Sequence, residues 1–177
     1  AGHPCAMDRL LSVATEYELK VVEDAAHALP AADHGRMVGA IGDITCFSFY
    51  ATKSITTGEG GMATTHHAHY AERMRSMSLH GITKDAWSRY AGTGSWYYEI
   101  REPGFKYNLT DIAASIGIEQ LRKSRRFWTA RAQIAAAYHD AFSALQEIHR
   151  PLCRHGYHHA CQLCLSQFIP ELLRHTQ

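Results

Sequence analysis

The sequence has almost no net charge and no long apolar run. Eighteen Lys and Arg residues oppose seventeen Asp and Glu residues, which leaves a formal charge of +1. Such a balance does not indicate binding to nucleic acid or to an anionic membrane. No apolar stretch approaches the roughly 20 residues that cross a bilayer. With 46% apolar residues in a chain of 177, disorder is excluded and a soluble globular domain is expected.

The chain also lacks an initiator methionine and a basic, apolar leader. It begins Ala1-Gly2-His3-Pro4. We therefore expect a piece of a longer protein, and the length of the chain is then not necessarily the length of the whole protein.

The cysteines are odd in number and do not form a disulfide framework: Cys5, Cys46, Cys153, Cys161 and Cys164. Three nearby histidines, His155, His158 and His159, raise a zinc site as an alternative. A structural zinc site needs two ligand pairs separated by a dozen or more residues. The candidates here all lie within ten residues: His155, His158, His159, Cys161 and Cys164. We therefore expect no metal, and interpret this segment as an irregular tail of biased composition.

Apolar spacing predicts an α/β fold up to about residue 150. The predicted helices are Met7–Tyr17, 69–77, a helix capped by Thr110 that runs to about Arg122, and Phe127–Leu145. The predicted strands are Leu19–Asp24, Ile44–Tyr50 and Met62–Thr65, with loops over 30–42 and 80–103. After Pro151 no sustained period is found, and no repeat or low-complexity linker is present.

Three polar side chains are predicted at one edge of the sheet. Asp24 ends one strand, Ser48 lies late in the next, and Lys53 follows five residues later. Ligands of open α/β sheets bind at the carboxyl ends of strands, where an amine can serve as a nucleophile. Position alone also allows the simpler interpretation of Lys53 as a surface lysine.

Five motifs, taken in order, indicate a known family. They are Glu23-Asp24-Ala25-Ala26-His27-Ala28, Gly39-x-x-Gly42-Asp43, Phe47-Ser48-Phe49-Tyr50-Ala51-Thr52-Lys53, Thr57-Gly58-Glu59-Gly60-Gly61 and Gly104-Phe105-Lys106-Tyr107-Asn108-Leu109-Thr110-Asp111. From residue 1 to about 150 the chain resembles the DegT/DnrJ/StrS family of nucleotide-sugar aminotransferases. Members are longer enzymes that use pyridoxal 5'-phosphate. The resemblance implies a partial large domain of the aspartate aminotransferase type, with a mixed, mostly parallel sheet flanked by helices.

The same resemblance implies a domain division and a set of site residues. Residues 1–150 would belong to the cofactor-binding large domain and its following helices, and residues 151–177 to a degenerate or truncated start of the small C-terminal domain. Lys53 matches the catalytic lysine that forms a Schiff base with the cofactor and moves protons. Asp24 matches the acid that pairs with the pyridine nitrogen.

Three further residues match cofactor-binding positions. His27 would lie near the cofactor ring, Ser48 would bind the phosphate, and Asn108 would reach the phosphate from a neighbouring subunit. These three residues and Asp24 each have a structural alternative: packing for His27, backbone hydrogen bonding for Ser48, a helix-start role for Asn108 and strand-end capping for Asp24. Glu59 could meet substrate or face solvent.

The implied function is transamination of a nucleotide-linked keto sugar, UDP- or dTDP-linked, with glutamate as donor. UDP-linked 4-keto sugars for cell-envelope polysaccharide are favoured. The resemblance implies a cytoplasmic homodimer with a shared active site, without nucleic acid or membrane partners. The aromatic residues Trp87, Tyr90, Trp96, Tyr97 and Tyr98 could stack on the sugar nucleotide or pack the loop. Lys53 argues against a dehydratase branch that has histidine there. The alternative is an inactive remnant that serves as a structural or interaction module.

Overall fold

A computed structural model describes residues 1–82, 99–151 and 154–173 of the chain and contains both helices and short strands. The elements are α1 (Met7–Glu16), β1 (Val22–Asp24), β2 (Ala32–Asp33), β3 (Arg36–Met37), β4 (Ile44–Ser48), β5 (Gly61–Thr64), α2 (Ala68–Met77), α3 (Asp111–Ala141), β6 (Ile148–His149), β7 (Tyr157–His158), β8 (Gln167–Phe168) and a 3₁₀ turn (Pro170–Leu172). The predicted combination of helices and strands is confirmed.

The first two helices lie where apolar spacing predicts them. The α1 helix buries Met7 and Ala14, which are seven residues apart and therefore on one face. It ends at Glu16, one residue before the predicted end, and α2 begins one residue before its predicted start. Within the described ranges, none of the helices is long and apolar enough to cross a membrane.

The central sheet has three strands in the order β1-β4-β5. The β1 and β4 strands are parallel, and β5 pairs antiparallel with β4. Thr45 in β4 is fully buried, and its hydroxyl donates to Glu23 Oε1 at 2.8 Å, which also accepts from the Gly42 amide at 2.8 Å. One carboxylate thus ties β1 to the beginning of β4 and to the turn before it. The predicted first strand was too long, because Leu19, Lys20 and Val21 lie outside β1.

Residues 30–42, predicted as a loop, contain a hairpin. The β2 and β3 strands pair antiparallel across His34 and Gly35, which both have positive φ (47° and 83°). Positive φ at both central residues matches the twist of a two-residue hairpin turn. Strands of two residues carry no alternation, which explains why the sequence pattern missed them.

The prediction of two helices after Thr110 is wrong, because α3 is one helix of 31 residues. Thr110 caps it as predicted, and its side chain accepts from the Ala113 amide at 3.2 Å. The predicted break fell at residues 123–126, which contain neither glycine nor proline. Their charged side chains interrupt the apolar stripe while the backbone remains helical.

Residues after Pro151 contribute to the core of the preceding part. The β7 strand pairs with β2, so that Ala32 lies opposite His158, and β8 pairs with β6. Ala160 is fully buried in a cluster with Ala25, Ala31 and Val38, and its amide donates to Gly2 O at 2.8 Å. The irregular-tail interpretation is therefore replaced, for these residues, by short strands, of which β7 adds a third strand to the hairpin.

Enlarging Ala160 tests this packing. Ala160→Leu should lower the free energy of unfolding by about 3 kcal/mol, because a closely packed core has no room for added carbons. Urea denaturation followed by circular dichroism measures the change. Ala137→Leu, an exposed alanine on α3, is the matched control and should change stability little. Equal stability of the two variants would contradict the burial of Ala160.

Candidate active site

The carboxyl ends of β1 and β4 bring Asp24 and Ser48 to the same edge of the sheet. Their parallel register places Asp24 opposite Cys46, two residues before the end of β4 at Ser48. The Asp24 side chain is exposed, and its Oδ1 accepts from the Ala26 amide at 3.0 Å. Ser48 Oγ accepts from the Tyr50 amide at 3.3 Å. Both side chains therefore bond to the backbone just beyond their own strands.

The charges of Asp24 and Lys53 both influence the pKa of His27. Burial lowers the pKa of His27 below its ordinary value of 6.5, and the Lys53 ammonium lowers it further. The Asp24 carboxylate acts in the opposite direction and raises this pKa. The charges of two predicted site residues therefore act on a third, which follows the end of β1 by three residues.

A compact loop between β4 and β5 carries Lys53. The Lys53 amide donates to Tyr50 O at 3.0 Å, and farther along the Thr57 amide donates to Phe49 O at 3.0 Å. The end of the loop needs glycine at position 61, because a Cβ there would lie 2.8 Å from Phe47 O. The loop therefore returns tightly onto the end of β4, and Lys53 lies in its first turn.

Side chains from distant parts of the chain anchor this loop. On α3, Gln120 Oε1 accepts from the Thr56 amide at 3.4 Å, and Arg131 Nη1 donates to Ser54 O at 3.4 Å. Gln162 Nε2 donates to Thr52 O at 2.6 Å, while Gln162 Oε1 accepts from Ser54 Oγ at 2.8 Å. The sequence analysis missed all three anchors, because single polar residues in remote elements carry no local signal.

Asn108 lies on the segment that leads into α3. It is exposed two residues before the cap of α3, and its Oδ1 accepts from Lys106 Nζ. The hydrogen bonds within the described part of the chain do not connect it to Asp24, His27 or Lys53. A role at the cofactor of a neighbouring subunit stays a prediction. The aromatic cluster Trp87, Tyr90, Trp96, Tyr97 and Tyr98 lies outside the described residues.

The histidines and cysteines near the C-terminal end make contacts other than metal ligation. His158 stacks on Trp128 with 4.2 Å between ring centroids, and His159 Nδ1 accepts from the Cys161 amide at 2.8 Å. Over residues 1–82, 99–151 and 154–173, we find no group of three His, Cys, Asp or Glu side chains that could hold a metal ion.

The side chains at the sheet edge fit pyridoxal phosphate by their chemistry. An amine can condense with the cofactor aldehyde, a carboxylate can pair with a protonated ring nitrogen, and a hydroxyl can donate to a phosphate oxygen. Lys53, Asp24 and Ser48 supply these three groups around the same edge of β1 and β4. The residues present therefore match what this cofactor requires.

Solved structures place this fold among the pyridoxal-phosphate-dependent aminotransferases. The aminotransferase TlmJ from Streptoalloteichus hindustanus superposes with a TM-score of 0.85 at 28% identity, over 95% of this chain and 43% of its own. A structure from Streptococcus pneumoniae, assigned as a sugar aminotransferase and in its PMP form, gives 0.85 at 32% identity over 94% and 47% of the two chains. The expected fold class, a partial large domain of this type, is confirmed.

The chain belongs to the DegT/DnrJ/EryC1/StrS aminotransferase family, whose match extends over residues 1–172. A protein of unknown function from Methanocaldococcus jannaschii is 53% identical over 92% of this chain and 42% of its own length. The spore coat polysaccharide biosynthesis protein SpsC of Bacillus subtilis is 45% identical over 94% and 43%. The chain thus spans less than half the length of these relatives. The family uses pyridoxal phosphate, as the resemblance implied.

An NMR titration of His27 tests the convergence of the three site residues. The midpoint should lie below the ordinary pKa of 6.5. Lys53→Ala removes a positive charge and should raise the pKa of His27, whereas Asp24→Asn removes a negative charge and should lower it.

Lys20→Ala serves as the control for that titration. Lys20 pairs with Asp43 at 3.6 Å and is not among the charges that shift the pKa of His27. The variant should leave the midpoint unchanged. Shifts of the opposite sign in the two site variants would contradict the arrangement.

Proposed function

We propose that this chain is the cofactor-bearing part of a sugar aminotransferase that transfers an amino group, with glutamate as donor, to the keto carbon of a nucleotide-linked sugar. The observation that carries the proposal is that the parallel strands β1 and β4 end in Asp24 and Ser48 at one edge of the sheet, and that the turn leaving β4 carries Lys53. Family membership supports the reaction class, because only an amine at this place can link the cofactor covalently and then move a proton.

Each side chain has a distinct task. Bound pyridoxal phosphate supplies an electron-accepting ring that lowers the barrier to breaking bonds at the carbon bearing the amino group. The Lys53 amine holds the cofactor covalently and, once released, takes and returns a proton as a general base. The Asp24 carboxylate keeps a positive charge on the ring nitrogen, which an amide could not do.

The neighbouring groups orient the cofactor. His27 has a lowered pKa and is therefore mostly neutral at pH 7, so that it adds no second positive charge beside Lys53. The Ser48 hydroxyl binds the phosphate. Asn108 reaches the phosphate of a second subunit in a homodimer, and its exposed side chain supports that assignment.

Relatives support a nucleotide sugar as substrate. DesI was solved in the presence of its TDP-sugar product, and it superposes with a TM-score of 0.80 at 29% identity. SpsC is a polysaccharide biosynthesis protein by name. We propose a UDP- or dTDP-linked keto sugar, used for cell-envelope polysaccharide or another modified sugar in the cytoplasm. The division into a large domain to residue 150 and the start of a small domain beyond it belongs to the same proposal.

Covalent capture of the cofactor tests the proposal. Pyridoxal phosphate added to the purified protein, followed by borohydride reduction, should leave one cofactor group on Lys53, located by peptide mass spectrometry. Lys53→Ala should abolish this labelling, because Lys53 supplies the amine that the proposal assigns to the cofactor. Lys123→Ala, an exposed lysine on α3, is the control and should label normally. Absence of labelling in the unchanged protein would favour the inactive structural or interaction module.

Asp24→Asn separates cofactor attachment from turnover. The covalent link to Lys53 should still form, whereas transamination should fall about 100-fold or more, since electrostatic groups at developing charge contribute about 10² to 10³ in rate. An assay of amino transfer from glutamate to a nucleotide-linked keto sugar measures the loss. Unchanged turnover would show that Asp24 does not support the ring nitrogen.

A further inference from the structure

Gln162 contacts the residues on both sides of Lys53. Its amide nitrogen donates to Thr52 O at 2.6 Å, and its amide oxygen accepts from Ser54 Oγ at 2.8 Å. A side-chain amide is neutral and has separate donor and acceptor atoms, and here both are used. The lysine therefore lies between two points that a single side chain holds.

The two flanking residues differ in how firmly the rest of the fold holds them. Ser54 and Ile55 are buried, with exposed fractions of 8% and 3%, whereas Thr52 is exposed. Ser54 O also receives a hydrogen bond from Arg131 at 3.4 Å. Gln162 thus adds a second hydrogen bond to the buried Ser54 and a short one, of 2.6 Å, to the exposed Thr52.

Gln162 is itself fixed by the core. It follows Ala160, which is fully buried, by two residues, and β7 attaches the same segment to β2. The side chain is partly buried. A core-anchored segment more than a hundred residues away in sequence therefore holds the lysine turn in place.

We propose that Gln162 is a positioning residue that holds the Thr52–Ser54 turn and thereby aims the Lys53 amine at the cofactor. The inference rests on the proposed function of Lys53. Small misplacements of a reacting group are costly, and a shift of about 1 Å can reduce a rate about 100-fold. Gln162 acts through the backbone of the turn and does not touch the cofactor itself.

Hydrogen exchange measures the holding of the turn without any cofactor. In Gln162→Ala, exchange of the Lys53 amide, which is bonded to Tyr50 O, should rise about fivefold to thirtyfold, as expected for the loss of one or two hydrogen bonds. Exchange in β4 and α3 should not change. Gln167→Ala, an exposed glutamine in β8, is the matched control and should leave the turn as it is.

The rate of Lys53 labelling measures the consequence for chemistry. Pyridoxal phosphate with borohydride should label Lys53 of Gln162→Ala at least about tenfold more slowly than in the unchanged protein. Gln162→Glu keeps an acceptor for Ser54 Oγ but loses the donor to Thr52 O, and Ser54→Ala keeps that donor contact. Each should give an intermediate rate. If Gln162→Ala does not fold, these two variants still test whether Gln162 positions the turn.

The outcomes separate the two proposals. Labelling of the unchanged protein together with normal turn exchange and normal rates in the Gln162 and Ser54 variants would overturn the positioning role while leaving the proposed function intact. Absence of labelling with faster turn exchange in Gln162→Ala would overturn the proposed function of Lys53, and with it the aiming of an amine at a cofactor. Faster exchange throughout the core would mean that Gln162 only stabilises the fold.

Discussion

The parallel pairing of β1 with β4 is the constraint on which the site depends. The hydrogen bond from the Ala25 amide to Cys46 O, at 2.8 Å, continues the ladder one residue past Asp24. Because both strands run in one direction, their last side chains emerge at the same edge, and the chains that leave them carry His27 and Lys53 there. The buried contacts of Glu23 with Thr45 and Gly42 fix this register.

The sequence predicts the long periodic elements well and the short ones poorly. The α1 and α2 helices, β4 and β5 could be found because each is long enough to show a period or a β-branched run. The two-residue strands could not be found, since alternation needs more residues than they have. The continuous α3 was predicted as two helices because a run of charged residues imitates a boundary.

The candidate site divides in the same way. The positions of Asp24, Ser48 and Lys53 follow from local order along the chain, so motifs reveal them. Gln120, Arg131 and Gln162 reach the lysine loop only through tertiary structure. A lone glutamine or arginine on an otherwise ordinary segment has no spacing that could indicate its partner. The supporting contacts of a site are for this reason harder to predict than its reactive groups.

Because α3 is one continuous helix, its contacts with the loop that carries Lys53 all depend on the position of a single element. Gln120 and Arg131 lie eleven residues apart, which is about three helical turns, so both project from one face. Gly117 lies one turn earlier, and a Cβ there would come within 3.1 Å of Thr57 Cγ2. Rotation of α3 about its axis would displace all these contacts together. The orientation of α3 about its own axis therefore determines the position of the turn that carries Lys53.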